Sequence, residues 1–247
     1  MLKVNTVKSL SPYLTLLRDN ANYRRLWLAQ SVSNFGDWFG MLALYAVIAR
    51  YSDSEFLIGL IIVVKMLSLA SFSPLAGYIT DRFNRRRLMI FCDVARALSI
   101  AGLLLVRSAE LLWLAYALTA VQMMLSAVFE PAKTSSIPNV TSESELVNAN
   151  VLSTATWSII FTSGMAIGGF ATEWLGTDTV FVLDAFSYLI SALFIYRAVI
   201  PQQTMSEEEK ANTRNPLTGI KEGLNPVLVE EIQITWIYFS LLLTKVW

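Results

Sequence analysis

Residues 77–87 read GYITDRFNRRR and separate two long apolar stretches of the chain. Four of the last six residues of this segment are arginines. Short segments rich in Lys and Arg that connect membrane-spanning helices stay on the cytoplasmic side of the bilayer. Residues 77–87 therefore predict a tight cytoplasmic loop between two membrane-spanning helices, and this loop orients the rest of the chain.

The composition requires a membrane as the solvent. The chain of 247 residues is 55% hydrophobic and only 15% charged, which is too apolar for one soluble domain of this size. A helix needs about 20 apolar residues to cross the hydrocarbon core of a bilayer, and stretches of that kind recur along the chain. They are too long and too uniformly apolar for barrel strands. The sequence therefore predicts an all-α membrane protein with six transmembrane helices at 26–49, 56–80, 88–106, 111–129, 151–174 and 180–200.

The distribution of positive charge gives the topology. Of the 19 Lys and Arg residues, fourteen fall on the same side as residues 77–87, against two, Arg50 and Arg107, on the other side. Lys and Arg accumulate in cytoplasmic segments. We therefore expect both ends of the six-helix unit to lie in the cytoplasm.

The chain divides into four parts by composition. Residues 1–25 form a polar cytoplasmic tail, and residues 26–200 form the six-helix transmembrane half-domain. Residues 201–231 are polar and predict an exposed cytoplasmic linker. Residues 232–247 are apolar but shorter than the roughly 18 residues of a crossing helix, so they predict an incomplete seventh helix.

The residue types exclude several classes of function. The chain has no His, and its single Cys92 lies within the third predicted span, which excludes disulfides, Cys/His metal sites and His-based acid–base catalysis. We therefore expect no metal, no cofactor and no enzymatic activity. The net charge is zero, and the topology alone explains the basic clusters, so we expect no nucleic-acid partner.

Polar residues within the spans are the candidates for function. Gln30, Asn34 and Asp37 recur at steps of three and four, so they share one face of the first span. An ionisable side chain at a helix centre costs at least about 2.5–3.5 kcal/mol, and such residues usually line a pathway or hold a bundle together. We predict that this face lines a water-filled substrate or proton pathway. Alternatively, Asp37 only pairs with a base to lock the packing, and Lys65, at similar depth in the second span, is its candidate partner.

Two further charged groups have a structural interpretation. Asp93 and Arg96 are three residues apart and therefore on the same side of the third span, which favours an intramembrane ion pair. Glu130 closes the fourth span at the cytoplasmic end, level with Asp81 and the arginines at 85–87. These groups predict a latch that is made in one conformation and broken in another, and static anchoring of the loop is the alternative.

The fifth span contains a glycine motif. Gly164 and Gly168 are four residues apart, and Gly169 follows directly. Small residues at this spacing let another helix approach closely. The motif predicts helix packing, and in a moving bundle the same face would also slide.

The motifs carry a family resemblance. The cytoplasmic loop resembles the loop signature of the major facilitator superfamily at Gly77, Asp81, Arg82, Arg85 and Arg86. The drug- and siderophore-exporting branch, with its macrolide and enterobactin exporters, is similar over roughly residues 20–200. The motifs that carry this similarity are Gln30-x-x-x-Asn34-Phe35-Gly36-Asp37, Asp93-x-x-Arg96, Pro131-Ala132-Lys133 with Ile137-Pro138, Asn148-Ala149-Asn150 and Asp184-Ala185-Phe186-Ser187-Tyr188.

The resemblance implies two six-helix halves with a substrate path between them, of which this chain matches the N-terminal half. It also implies a multi-pass protein of the plasma (bacterial inner) membrane that exports a small molecule, such as a drug or a siderophore, by ion or proton antiport. Many proton-coupled members carry an Arg in the fourth helix, where Gln122 is the nearest polar residue here. Asp37 is then the leading candidate for the proton carrier.

The expected partners are the lipid bilayer, a small-molecule substrate and a second half-transporter, either as a homodimer or as a separately encoded C-terminal half. Two alternatives stay open at this point. One is a truncated, non-transporting membrane remnant, and the other is a six-helix membrane scaffold.

Overall fold

The computed structural model describes residues 11–201, and the expected linker and the apolar segment at 232–247 lie outside this range. Eight α-helices fold within it, with short 3-10 turns at Leu103–Leu105 and Ala109–Leu111. The helices are α1 (Ser11–Asp19), α2 (Ala21–Tyr51), α3 (Glu55–Arg82), α4 (Arg85–Gly102), α5 (Leu112–Thr134), α6 (Ile137–Val140), α7 (Glu143–Leu175) and α8 (Thr177–Arg197).

The predicted fold class is confirmed. Within residues 11–201, six helices are long and apolar enough to cross a membrane. Two of them begin five or more residues earlier than the apolar pattern predicts, because polar caps extend them. Asn20 accepts a hydrogen bond from the backbone N–H of Tyr23 and starts α2, and Ser142 with Glu145 forms a capping box that starts α7.

The predicted length of the loop at residues 77–87 is wrong, because the connection between the two helices is much shorter. Helix α3 continues to Arg82 and α4 begins at Arg85, so only Phe83 and Asn84 connect them. Asn84 allows so short a turn because its side-chain oxygen accepts a hydrogen bond of 3.0 Å from the N–H of Arg87 and caps α4. The motif residues Gly77, Asp81 and Arg82 therefore belong to the last turns of α3, and Arg85 and Arg86 belong to the first turn of α4.

The helices pack in an internally repeated pattern. Helix α8 packs against α2 and α4, α5 packs against α4 and α3, and α7 packs against α2. Exchanging α2 with α5, α3 with α7 and α4 with α8 leaves this set of helix contacts unchanged. The bundle therefore consists of two equivalent triplets, one of α2, α3 and α4 and one of α5, α7 and α8. Each triplet has an odd number of spans, so the second crosses in the opposite sense to the first, as in inverted repeats. Helices α4 and α8 are equivalent in this exchange and contact each other.

The core consists of two apolar clusters. One surrounds Tyr23, Met89 and Phe129 near the ends that carry the arginines. The other surrounds Ile48, Ile61 and Phe181 towards the opposite ends. Between the two clusters, five helices place charged or hydrogen-bonding side chains at similar depth, and we call this region the polar layer.

Candidate functional site

The polar layer draws on both triplets of helices. The first triplet provides an aspartate from α2, a lysine from α3 and an ion pair from α4, and the second provides an amide from α5 and a group of polar residues from α8. The members of the layer are Asp37, Lys65, Asp93, Arg96, Gln122, Asp184, Ser187, Tyr188 and Ser191.

A cavity of about 170 Å³ opens into this layer. Its polar lining comes from four helices, with Asp37, Lys65, Gln122 and Asp184. The rest of the lining is mostly apolar, from Trp38, Met41, Leu44, Ile100, Leu103 and Met123. A concave, largely apolar pocket with a few convergent polar groups is the usual form of a small-molecule site.

Asp37 is held by two donors. The Tyr188 hydroxyl donates a hydrogen bond to Oδ1 of Asp37, and the Gln122 side-chain amide lies 3.4 Å from the same oxygen. The Gln122 amide also donates to the Tyr188 hydroxyl oxygen at 3.0 Å. Donors aimed at a carboxylate stabilise its charged form. Asp37 is thus fixed by α5 and α8 while it faces the cavity.

Lys65 lies across the cavity from this carboxylate. The predicted direct ion pair between Lys65 and Asp37 is absent from the ion pairs of residues 11–201. Both residues line the cavity, and Lys65 is attracted electrostatically by Asp37 and by Asp184. The lysine therefore shares the cavity with two carboxyl groups and forms no ion pair with either among the described residues.

Asp93 and Arg96 form a closed cluster on α4. Their side chains pair directly, and the Ser191 hydroxyl of α8 donates to the second oxygen of Asp93 at 2.7 Å. The Arg96 guanidinium also lies over the rings of Phe129 and Tyr188, at 4.1 and 4.5 Å from their centroids. A desolvated cation over an aromatic face gains about 2 kcal/mol or more. Asp93 and Arg96 are buried, and neither lines the cavity.

Asp184 is the least supported carboxyl of the layer. Only 1% of the residue is exposed, and its Oδ2 is buried without a hydrogen-bond partner among residues 11–201. Ser187 lies 3.5 Å from Oδ1, but its hydroxyl also donates to the Asp184 backbone carbonyl at 2.7 Å. Two glycines of α2 make room for this group. A Cβ atom on Gly40 would overlap Oδ2 of Asp184, and one on Gly36 would overlap the Ser187 hydroxyl.

The cavity does not reach all of the predicted pathway residues. Gln30 and Asn34 are half-buried on α2 but are not part of its lining. They lie roughly 10 and 4.5 Å from the level of Asp37 at the helical rise of 1.5 Å per residue, towards the N-terminal end of α2. Their place in a pathway stays a prediction.

The predicted latch has other partners in this structure. Asp81 is exposed and forms no ion pair within residues 11–201, and Glu130 pairs with Lys133 one turn further along the same helix. The arginines contact backbone carbonyls near the ends of other helices instead. Arg85 donates to the carbonyl of Ser135 at 2.9 Å, directly after α5.

The last turn of α8 receives two arginines. Arg86 donates to the carbonyls of Ile195, at 3.3 Å, and Tyr196, and Arg25 donates to that of Arg197 at 2.9 Å. The last carbonyls of a helix lack partners within the helix and carry partial negative charge. These arginines therefore tie α2 and α4 to the end of α8.

The glycine motif of α7 is only partly a contact surface. A Cβ atom on Gly164 would lie 2.9 Å from Cβ of Trp38, and one on Gly168 would lie 3.0 Å from Cδ1 of Leu42. Both glycines thus allow α7 to approach α2 closely. Gly169 has no heavy atom within 4 Å of such a position and is exposed, because one helical residue turns it away from α2. The packing role predicted for Gly169 is therefore wrong for the described residues.

Four buried residues of the layer, all on α8, were not predicted as site residues, namely Asp184, Ser187, Tyr188 and Ser191. Asp184, Tyr188 and Ser191 follow one another at steps of four and three on α8, the spacing of one helix face. A carboxyl in an apolar span also marks a functional candidate. This spacing and the buried carboxyl could be read from the sequence, whereas the partners of each residue could not.

The comparisons with known proteins agree with this architecture. Residues 26–246 match the Major Facilitator Superfamily. The chain belongs to this superfamily. It is 28% identical over 85% of its length to the uncharacterized MFS-type transporter YfiS of Bacillus subtilis, of which it covers 50%. It is 32% identical over 67% of its length to the multi-drug resistance efflux pump PmrA of Streptococcus pneumoniae, of which it covers 41%.

Membership in the Major Facilitator Superfamily confirms the resemblance seen in the motifs, including that to its exporters. The protein is a multi-pass membrane protein of a transporter family, and this family is not enzymatic in general. The chain spans about half the length of the curated relatives it matches.

Proposed function

We propose that the chain forms the N-terminal half of an efflux permease that exports a small molecule, such as a drug or a siderophore, by ion or proton antiport. One observation carries this proposal. In a member of a transporter superfamily, four helices converge their polar side chains on one otherwise apolar cavity. Transporter sites lie near the bilayer midplane at the contact of internal repeats, and the polar layer lies between the two triplets.

The coupling acts through the groups of this cavity. Asp37 is fixed by Tyr188 and Gln122, and Lys65 faces it without a short contact. A cation or proton that enters between them changes the balance of charge in a desolvated site, where such interactions are strong. Gln30 and Asn34 extend the polar face of α2 towards the cytoplasm and are proposed to continue the path.

The cytoplasmic arginines are proposed to hold the conformation seen here. Arg85 and Arg86 bind carbonyls at the ends of α5 and α8, while Asp81 and Glu130 stay outside these contacts. Release of the carbonyls would free the arginines for Asp81 and Glu130 in a second conformation. Under this proposal the latch exchanges partners between the two states.

The proposed setting is a bacterial plasma membrane, with the N-terminus in the cytoplasm because the basic residues gather there. One six-helix unit provides one wall of a path between two halves. The proposed partner is therefore a second half-transporter, in the form of a second copy or a separate C-terminal half. Crosslinking between copies in membranes distinguishes the first form from the second.

Efflux from cells that express the chain, alone and with a separately expressed C-terminal half, tests the function. The measured quantity is the release of ethidium and of a panel of antibiotics in an imposed pH gradient. We expect Asp37→Asn to abolish gradient-driven release at an unchanged protein level, because Asn keeps the shape and removes the negative charge that faces the cavity. Asp53→Asn is the matched control, since Asp53 is exposed in the turn between α2 and α3.

Two results would contradict the proposal. The first is normal gradient-driven release by Asp37→Asn, which would remove Asp37 from the coupling. The second is no release of any compound by the unaltered chain with a second half present, which would favour a membrane scaffold.

A further inference from the structure

The charges of the polar layer do not balance. In the described residues, the middle parts of the membrane-spanning helices carry the carboxyl groups of Asp37, Asp93 and Asp184 and the bases Lys65 and Arg96. With every group ionised, the layer has one negative charge in excess. An uncompensated charge away from water costs several kcal/mol, and such groups change their protonation instead. One of the three carboxyl groups is therefore the natural place for a proton.

The surroundings of Asp93 and of Asp37 both favour the ionised carboxylate. Asp93 pairs with Arg96 and also accepts from Ser191. Asp37 accepts from the Tyr188 hydroxyl and has the Gln122 amide nearby. Charge-assisted hydrogen bonds of these kinds favour the ionised form.

Asp184 has no comparable support. In the part of the chain that the structure describes, its one near donor, Ser187, is shared with a backbone carbonyl, and its Oδ2 is buried without a hydrogen-bond partner. The α2 surface opposite it offers Gly40, which has no side chain to donate a hydrogen bond. A neutral carboxylic acid loses far less than a carboxylate in such surroundings.

The charged groups of the other elements do not replace this support. Asp37 of α2 repels a negative charge at Asp184. Arg96 of α4 attracts one, but it is already paired with Asp93. Lys65 of α3 also faces Asp37, and α5 adds the uncharged Gln122 at this level. The acidic residues of α7, which are Glu143, Glu145 and Glu173, lie near its ends.

We propose that Asp184 holds a proton in this conformation and is the residue of the cavity that releases it. With Asp184 neutral, the two carboxylates and the two bases of the layer balance. When the proton leaves through the cavity, which Asp184 lines, the new carboxylate draws Lys65 away from Asp37. A role for this proton in antiport rests on the proposed function, whereas the protonation itself does not.

Infrared spectroscopy of the purified 247-residue chain in lipid bilayers tests the assignment. A protonated carboxyl has a C=O stretching band distinct from that of a carboxylate, and deuterium exchange shifts it. We expect this band in the unaltered chain and its loss in Asp184→Asn, and we expect it to weaken as the pH is raised. Asp53→Asn, in the exposed turn between α2 and α3, is the control and should keep the band. Because Asp37→Asn removes the excess negative charge, it should let Asp184 ionise and weaken the band. A missing band in the unaltered chain, or a band that Asp184→Asn leaves unchanged, would overturn the proposal.

Thermal unfolding gives an independent measurement. Asn is close in shape to a neutral Asp, so Asp184→Asn should leave the Tm at neutral pH unchanged. A clear loss of Tm would show that a carboxylate is needed at this position and would also overturn the proposal. A normal band in a chain without export would contradict the proposed function alone, and export by a chain that lacks the band would contradict this inference alone.

Discussion

Asp93 and Asp184 lie on α4 and α8, the two helices that exchange places in the internal repeat. Both are almost fully buried, with 0% and 1% of their surface exposed. Asp93 has a paired arginine and a serine hydroxyl, whereas Asp184 faces glycines and the cavity. The two equivalent helices thus hold an ion pair and a carboxyl without a paired base.

The difference shows that burial alone does not assign a role to a charged residue in a membrane. In the pair of Asp93 and Arg96 each charge has its counter-charge, although Nε of Arg96 is buried without a hydrogen-bond partner among residues 11–201. The pair therefore contributes to the folded structure and has little reason to change its charge. A carboxyl without a base depends on its proton or on a mobile cation. A structural carboxyl has a paired base, as Asp93 does. A functional carboxyl lacks such a base and lines the cavity, as Asp184 does.

Removal of the base from the closed pair should have the largest effect. Arg96→Met leaves Asp93 buried without its partner and removes a cation that lies over Phe129 and Tyr188. Loss of one member of a buried pair costs about 3–5 kcal/mol. We expect a marked fall in folded protein and in Tm, measured by thermal unfolding in detergent.

The double change Asp93→Asn with Arg96→Met is the matched control, because it removes both charges. It should recover much of the lost stability. If Arg96→Met has the same Tm as the unaltered chain, the pair is not needed for folding. The contrast between α4 and α8 would then be lost.

A smaller loss of stability is expected in the open part of the layer. Asp37→Asn keeps an oxygen for the Tyr188 hydroxyl, and Lys65 has no short contact to lose. We expect a cost of about 1 kcal/mol, the scale of one weakened hydrogen bond, from the same unfolding measurement. A large loss that Lys65→Met restores would instead identify Asp37 and Lys65 as a packing pair.

The smallest effect is expected at the exposed end of the bundle. Arg107 and Asp178 pair at 2.7 Å, but their side chains are 56% and 51% exposed. Exposed ion pairs contribute about 0–1 kcal/mol and weaken with salt. Arg107→Gln should therefore change the Tm little, and Arg50→Gln, also exposed, serves as its control. A loss of Tm as large as that of Arg96→Met would show that the exposure of an ion pair does not determine its contribution to stability.

The sequence predicted those features that depend on residues close together in the chain. The six spans follow from lengths of apolar sequence, and the contact of Asp93 with Arg96 follows from a spacing of three residues. The helices around residues 77–87 run longer than predicted, because a capping Asn84 makes a two-residue turn sufficient.

The predictions were weaker where the structure joins distant segments. Asp184 meets no hydrogen-bonding side chain from Gly36 and Gly40 of α2, because these residues are glycines. They lie more than 140 residues earlier in the chain, and no spacing rule connects them with Asp184. The arginines at 85 and 86 were expected to meet carboxylates, but α5 and α8 present backbone carbonyls, which every sequence contains. Such partners become visible only when the helices are packed.

The close contact between α2 and α8 also limits how this chain can evolve. Any residue larger than glycine at position 40 would collide with the Asp184 carboxyl, so a change at position 40 is tolerated only after a shorter side chain arises at 184. At position 36 a Cβ atom would collide with the Ser187 side chain and also with Oδ1 of Asp184, so Gly36 is constrained by both residues. In descendants of this chain the two sites of each pair are therefore expected to covary, and the same replacement would be harmful in one genetic background and neutral in another.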